Sequence, residues 1–266
     1  MSQWFRWLVC GVVCTCVARA EEPPKASFVL QRFRPVQSGV ELETPEPAEV
    51  AKCTVKVDQV KGSSGWIVLG PEGQVLRRFL DTNGDNVVDQ WRYYQQGVEV
   101  YRDVDSNFNS KVDQSRWLNT GGSRWGLDTN EDGRIDSWRM ISAEEVSRLA
   151  VDALVRRDVG LLQTILITPR DISTLGIKPG IAAKLTAAVA NPRQKLQQAG
   201  PLAAKTRWVR FDCTQPGLVP ADDGKARKDL VVYEGALAIV DNAGNSGLVE
   251  LGEMVQVGTT WKLTSI

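Results

Sequence analysis

The chain has 266 residues, with 32 basic and 32 acidic side chains and no histidine. That balance offers no basic field for nucleic acid or an anionic membrane. The missing histidine removes the commonest general base and the usual zinc and copper ligand. No G-x-S-x-G, Walker A or dinucleotide fingerprint is present, so the residues favour a non-enzymatic protein.

In chain order, Arg6, an apolar run over 7–17 and the small-residue site Ala18-Arg19-Ala20 read as a secretory signal peptide over 1–20, cleaved after Ala20. The run is too short to span a membrane, and the expected location is secreted or periplasmic. Of five cysteines, Cys53 and Cys213 remain after cleavage. Either a disulfide tying the two ends of the chain together or two buried thiols is consistent with such a pair. Residues 21–52, rich in Pro and Glu, read as an extended lead-in.

A β-meander is predicted over 53–141, with strands near 65–69, 74–80, 87–94, 98–104, 112–118, 123–127 and 134–141. Its turns alternate between short Gly-containing ones and three acidic loops of pattern D-x-N-x-[DN]-x-x-x-D. The loops carry Asp81, Asn83, Asp85 and Asp89, then Asp105, Asn107, Asn109 and Asp113, then Asp128, Asn130, Asp132 and Asp136. Alternate turns of an antiparallel meander share an edge, so the three loops should gather on one side. Strand parity places Asp89, Trp91 and Tyr93 on one face, as it does Asp113, Ser115 and Trp117, and Asp136, Trp138 and Met140. Trp125 and Leu127 are expected in the same apolar layer, with Arg92, Arg116 and Arg139 on the opposite face.

At Ser142 the period becomes helical. Ser142-Ala-Glu-Glu145 has the form of a capping box, with further helices expected over 159–167 and 179–190 and a connector over 194–204. Strands over 207–212, 230–240, 248–257 and 260–265 follow, with a hairpin turn at 241–245. The fold class is therefore α+β, an antiparallel meander followed by a helical segment and an antiparallel sheet, 142–266 forming a second domain.

The acidic loops resemble the D-x-[DN]-x-D-G-x-[IV]-D core shared by EF-hand loops, dockerin repeats and thrombospondin type 3 repeats. The resemblance implies Ca2+, held by the side chains named above and by the position-7 carbonyls of Val87, Lys111 and Arg134. The third loop, with Gly133 at position 6, matches best, the first next and the second least. Position 12 holds Arg92, Arg116 and Arg139 where an EF-hand has a bidentate Glu, and strands replace the flanking helices. The alternative is a metal-free loop closed by Asx-turns. The stretch from Arg78 through Gly133 is similar to exported planctomycete proteins of unknown function, some continuing into a thioredoxin-like domain. The C-terminal half resembles the NTF2-like roll. These readings converge on an exported calcium-binding protein whose calcium is structural and whose C-terminal domain takes a protein or small ligand. An accessory module of an envelope redox or hydrolytic system is the alternative.

Overall fold

The computed structural model describes residues 23–60, 62–120, 123–200, 202–213 and 215–265. The expected signal peptide, with its cleavage point, lies outside them. Eight antiparallel strands run in sequence order: β1 (Thr54–Val60), β2 (Ser63–Leu69), β3 (Val75–Asp81), β4 (Gln90–Gln95), β5 (Val98–Val104), β6 (Gln114–Trp117), β7 (Arg124–Leu127) and β8 (Ser137–Ile141). They are followed by α2 (Ala143–Arg156), α3 (Val159–Ile165), α4 (Pro169–Leu175), α5 (Pro179–Val189) and α6 (Pro192–Gln198), α1 (Ala26–Arg32) lying before the meander. The chain closes with β9 (Thr206–Asp212), β10 (Gly217–Val219), β11 (Leu230–Asn242), β12 (Asn245–Val257) and β13 (Thr260–Leu263). This is the α+β arrangement expected.

The two halves share one sheet and one core. β13 joins β8 in parallel through the pair Thr260 and Ile141, and the Ile141 N–H donates to the Thr259 carbonyl at 3.2 Å. Tyr93, Tyr101, Trp117 and Trp138 of the meander lie in the same buried cluster as Val146, Leu149 and Ala150 of α2 and Ala238 and Met254 of the C-terminal sheet. Trp138 Nε1 donates to Thr164 Oγ1 on α3 at 3.0 Å. Among the described residues no helix is long and apolar enough to cross a membrane.

Several local expectations change. The lead-in is not wholly extended, because Ala26–Arg32 is helical and buries Val29 beside Phe79, whose ring lies 5.0 Å from that of Phe33. It then crosses the meander, where Val36 N–H donates to Asp103 Oδ2 at 2.9 Å and Glu43 N–H to the Tyr94 carbonyl at 3.0 Å. Pro169 and Pro192 each start a helix at its first position instead of only ending the one before, since that position needs no N–H donor. β1 and β10 are additional strands. Ser142 caps α2 by accepting the Glu145 N–H at 3.2 Å, but the reciprocal half of the capping box is absent. The Glu145 carboxylate turns instead to Arg124 and Arg148.

Trp125 and Leu127 are on the other face from the one expected, opposite Arg116 and Gln114 of β6. The cross-strand neighbours of Trp125 are Arg116 and Met140, and one extra residue on β8 lies between the pairs Trp125–Met140 and Gly126–Trp138. Such a bulge breaks simple alternation, so Met140 lies opposite Trp125 and not on the Trp138 face as expected. Gly126 takes the core-facing position, where a Cβ would stand 2.6 Å from Ile135 Cδ1. Cys53 and Cys213 do not form the bridge that was one of the two alternatives. Both are free thiols, Cys53 packed with Phe79 and Leu76 and Cys213 beside the central cluster.

Candidate functional site

The three acidic loops follow one hydrogen-bond plan. The position-1 carboxylate accepts the position-6 N–H: Asp81 from Asn86 at 2.9 Å, Asp105 from Ser110 at 2.7 Å and Asp128 from Gly133 at 2.7 Å. The position-3 amide oxygen accepts the position-5 N–H, at 3.0 Å in the first loop, 3.2 Å in the second and 3.0 Å in the third. Position 5 accepts the position-7 N–H at 2.8, 3.0 and 2.9 Å. Asp81, Asp105 and Asp128 are buried. Burial would raise the Asp81 carboxyl, but the N–H groups of Gly84, Asn86, Asn83 and Asp85 outweigh it and hold the carboxyl below its ordinary range.

The position-9 aspartates do different work. Asp89 accepts the Thr82 N–H at 2.8 Å, Asp113 that of Ser106 at 3.0 Å and Asp136 that of Thr129 at 2.8 Å. The position-2 hydroxyl donates to the same carboxylate in each loop. These carboxylates therefore close the base of the loop. The loops also stack along one sheet edge, the Asp105 N–H donating to the Asp89 carbonyl and the Asp128 N–H to the Asp113 carbonyl.

Backbone strain separates the copies. Positions 4 and 6 are left-handed in all three: Gly84 and Asn86, Phe108 and Ser110, Glu131 and Gly133. Only the second loop has neither Gly nor Asn at these positions, and each such residue costs roughly 1–2 kcal/mol. Glu131 of the third loop reaches across to support it. Its Oε1 accepts from Asn107 Nδ2 at 2.8 Å and Asn109 Nδ2 at 2.6 Å, which turns both amide oxygens toward their own loop. Those two donors also hold the Glu131 carboxyl below its ordinary range. Spacing within one loop gives no sign of this contact.

The position-12 arginines do not pair with the loop carboxylates. Arg92 Nη2 donates to Gln90 Oε1 at 2.8 Å, while Arg116 and Arg139 lie 4.7 and 4.4 Å from the Trp125 ring centroid. Arg134 pairs with Asp158 at 3.1 Å, tying the third loop to the start of α3. Each loop thus offers a calcium ion only oxygen donors: positions 1, 3 and 5 and the position-7 carbonyl. Among the described residues, no three or more His, Cys, Asp or Glu side chains gather as a metal-binding group.

A second candidate escaped sequence reasoning. A cleft of about 990 Å³ opens between the third loop, β6–β8, α2, α3 and β9. Beside it Glu145, fully buried, lies between Arg124 at 3.4 Å and Arg148 at 3.7 Å. The Arg124 guanidinium sits 3.7 Å from the Trp117 ring and that of Arg148 4.3 Å from the Trp208 ring. Both arginine Nε atoms are buried without a hydrogen-bond partner in the protein. Burial raises the Asp152 carboxyl, against the opposing pull of Arg156, Arg124 and Arg148. The indole faces serve the arginines, and the cleft suits a polar ligand of moderate size.

No family model matches the chain, and neither the curated proteins nor the solved structures contain a match to it.

Proposed function

We propose that the chain is an exported, non-enzymatic binding protein in which calcium is a structural ion of the meander loops and the cleft receives a small ligand. The observation that supports calcium is the threefold repetition of one loop plan that curls the oxygens of positions 1, 3 and 5 back onto the loop. Those oxygens and the position-7 carbonyl suit a hard cation, but they are fewer than the six to eight that calcium takes. Position 9 is engaged at the loop base, and position 12 is Arg. Affinity therefore falls toward the range of extracellular modules, about 10⁻⁴ to 10⁻³ M. The third loop ranks first on its match to the calcium-loop core, with Gly133 at position 6. The first follows, and the second depends on Glu131.

Binding raises stability by mass action. Melting in about 5 mM calcium, several times such a dissociation constant, should exceed melting in chelator, and Asp128→Ala with Asp132→Ala should remove the largest part of that shift. Identical wild-type melting in calcium and chelator would overturn the reading.

A further inference from the structure

The outer face of the meander carries a row of arginines in direct register. Arg78 is opposite Arg92, Arg92 opposite Arg102, and Arg102 opposite Arg116, with Arg116 opposite Trp125 on the next strand. Arg139 of β8 continues the row, its guanidinium on the same Trp125 ring. Like charges directly opposite each other on adjacent strands repel, and here three such pairs follow one another. Among the described residues two carboxylates answer five arginines: Asp58 pairs with Arg78, and Glu99 pairs with Arg102 at 2.7 Å and Arg92 at 3.9 Å. Among the described residues Arg116 and Arg139 have no acidic partner. Burial, and then Arg102, make Arg92 a weaker base than an ordinary arginine. In a chain with equal numbers of acids and bases, this is a local segregation of charge.

The geometry points to a binding face for a linear acidic polysaccharide, its carboxylate or sulfate groups lying in single file along the row from Arg78 to Arg139. Adjacent strands are about 4.8 Å apart, so the row from β3 to β8 runs roughly 24 Å across five strand spacings. That length fits successive anionic groups on an extended polymer better than one small ion. Guanidinium forks match planar or tetrahedral oxyanions. Single-stranded nucleic acid would require open aromatic faces for its bases, whereas Trp125 already carries two guanidiniums. Duplex DNA is read by an element that enters a groove, which a broad sheet face does not do. The ladder rests on strand register and not on calcium. Only the choice of a polysaccharide draws on the proposed export.

The test is retention of the purified chain on polygalacturonate, dextran sulfate, uncharged dextran and single-stranded DNA, in calcium and in chelator. Retention is expected on one or both acidic polysaccharides, absent on dextran, and lost as salt rises from about 50 to about 500 mM. Preference between the two polymers distinguishes carboxylate from sulfate. Arg116→Gln with Arg139→Gln should weaken retention about tenfold, and Arg116→Lys with Arg139→Lys should restore part of it. In the wild type, bound polymer should shield Arg116 and Arg139 from phenylglyoxal, read by mass spectrometry. That measurement decides the matter should the glutamine variant melt early. No retention on either acidic polymer, undiminished retention of a folded glutamine variant, tighter binding to DNA, or unshielded arginines would each overturn the proposal. Failure of calcium binding leaves the expected retention in chelator unchanged, which keeps the two readings separate.

Discussion

The meander and the C-terminal sheet hold strand register by different means. β11 and β12 are 13 residues each and pair along most of their length, with a two-residue turn at Ala243-Gly244 in left-handed backbone. Ala236, Ala238 and Val240 alternate inward onto the shared core. The meander strands are four to seven residues long, with correspondingly short ladders. There, loop carboxylates bind the backbone that the ladder leaves unpaired, and the outer face is charged. A long apolar strand specifies its register through burial. A short strand with one polar face relies on its turns.

The largest expected effect breaks the connection between these regions. Glu145→Ala leaves Arg124 of β7 and Arg148 of α2 without their shared buried partner, and removal of one member of such a cluster costs about 3–5 kcal/mol. Chemical denaturation should show both halves unfolding together at lower denaturant. Two separate transitions, with only the C-terminal one displaced, would show that the shared core does not couple them.

Next comes a pH effect at Asp103, where the lead-in is pinned to the meander. Burial pushes its carboxyl up to about 6 from an ordinary 3.8, against hydrogen bonds from Tyr101, Val36 and Ser115. Between those values the folded state keeps a proton that the unfolded chain has lost, so stability falls as pH rises through the window and levels off above it. The stability of wild type relative to Asp103→Asn should therefore fall by about 2–3 kcal/mol between about pH 4 and about pH 6. A difference constant with pH would show that Asp103 ionises as a solvated carboxylate does.

A smaller effect tests whether the loops hold their shape without metal. In chelator, Asp81→Ala leaves the Gly84 and Asn86 N–H groups without their acceptor and should cost about 1–3 kcal/mol. No change in chelator would place the carboxylate's whole contribution in calcium binding. The smallest effect is a gain. Ser110→Gly removes a left-handed non-glycine residue from the second loop and should stabilise by about 1 kcal/mol. A loss would show that the Ser110 side chain contributes more than its strain removes.

Much of the meander was legible in the chain. Gly turns and acidic loops alternate, which placed the loops on one edge, and the parity of Tyr93, Trp117 and Trp138 identified the core face. Trp125 was not legible, because its face follows from the β6–β7 register that sets it opposite Arg116, and no spacing within β7 reveals that register. The second role of Glu145 was hidden behind a motif it half satisfies. Glu131 reads as a neutral filler until the third loop lies beside the second. Arg92, Arg116 and Arg139 could be assigned to one face from their strands. That Arg78 and Arg102 stand directly between or beside them required the cross-strand register.

Local chemistry and period, which act over a few residues, are written in the sequence: an α+β chain, three repeated oxygen-rich loops, a helix starting at Ser142 and long C-terminal strands. The tertiary structure alone decided which charges meet. It brought Glu145 between two arginines, Glu131 across to a neighbouring loop, Asp103 under the lead-in and four arginines into successive pairs. Those contacts depend on register, bulges and the packing of distant segments. A shift of one residue would reverse the faces and separate all of them.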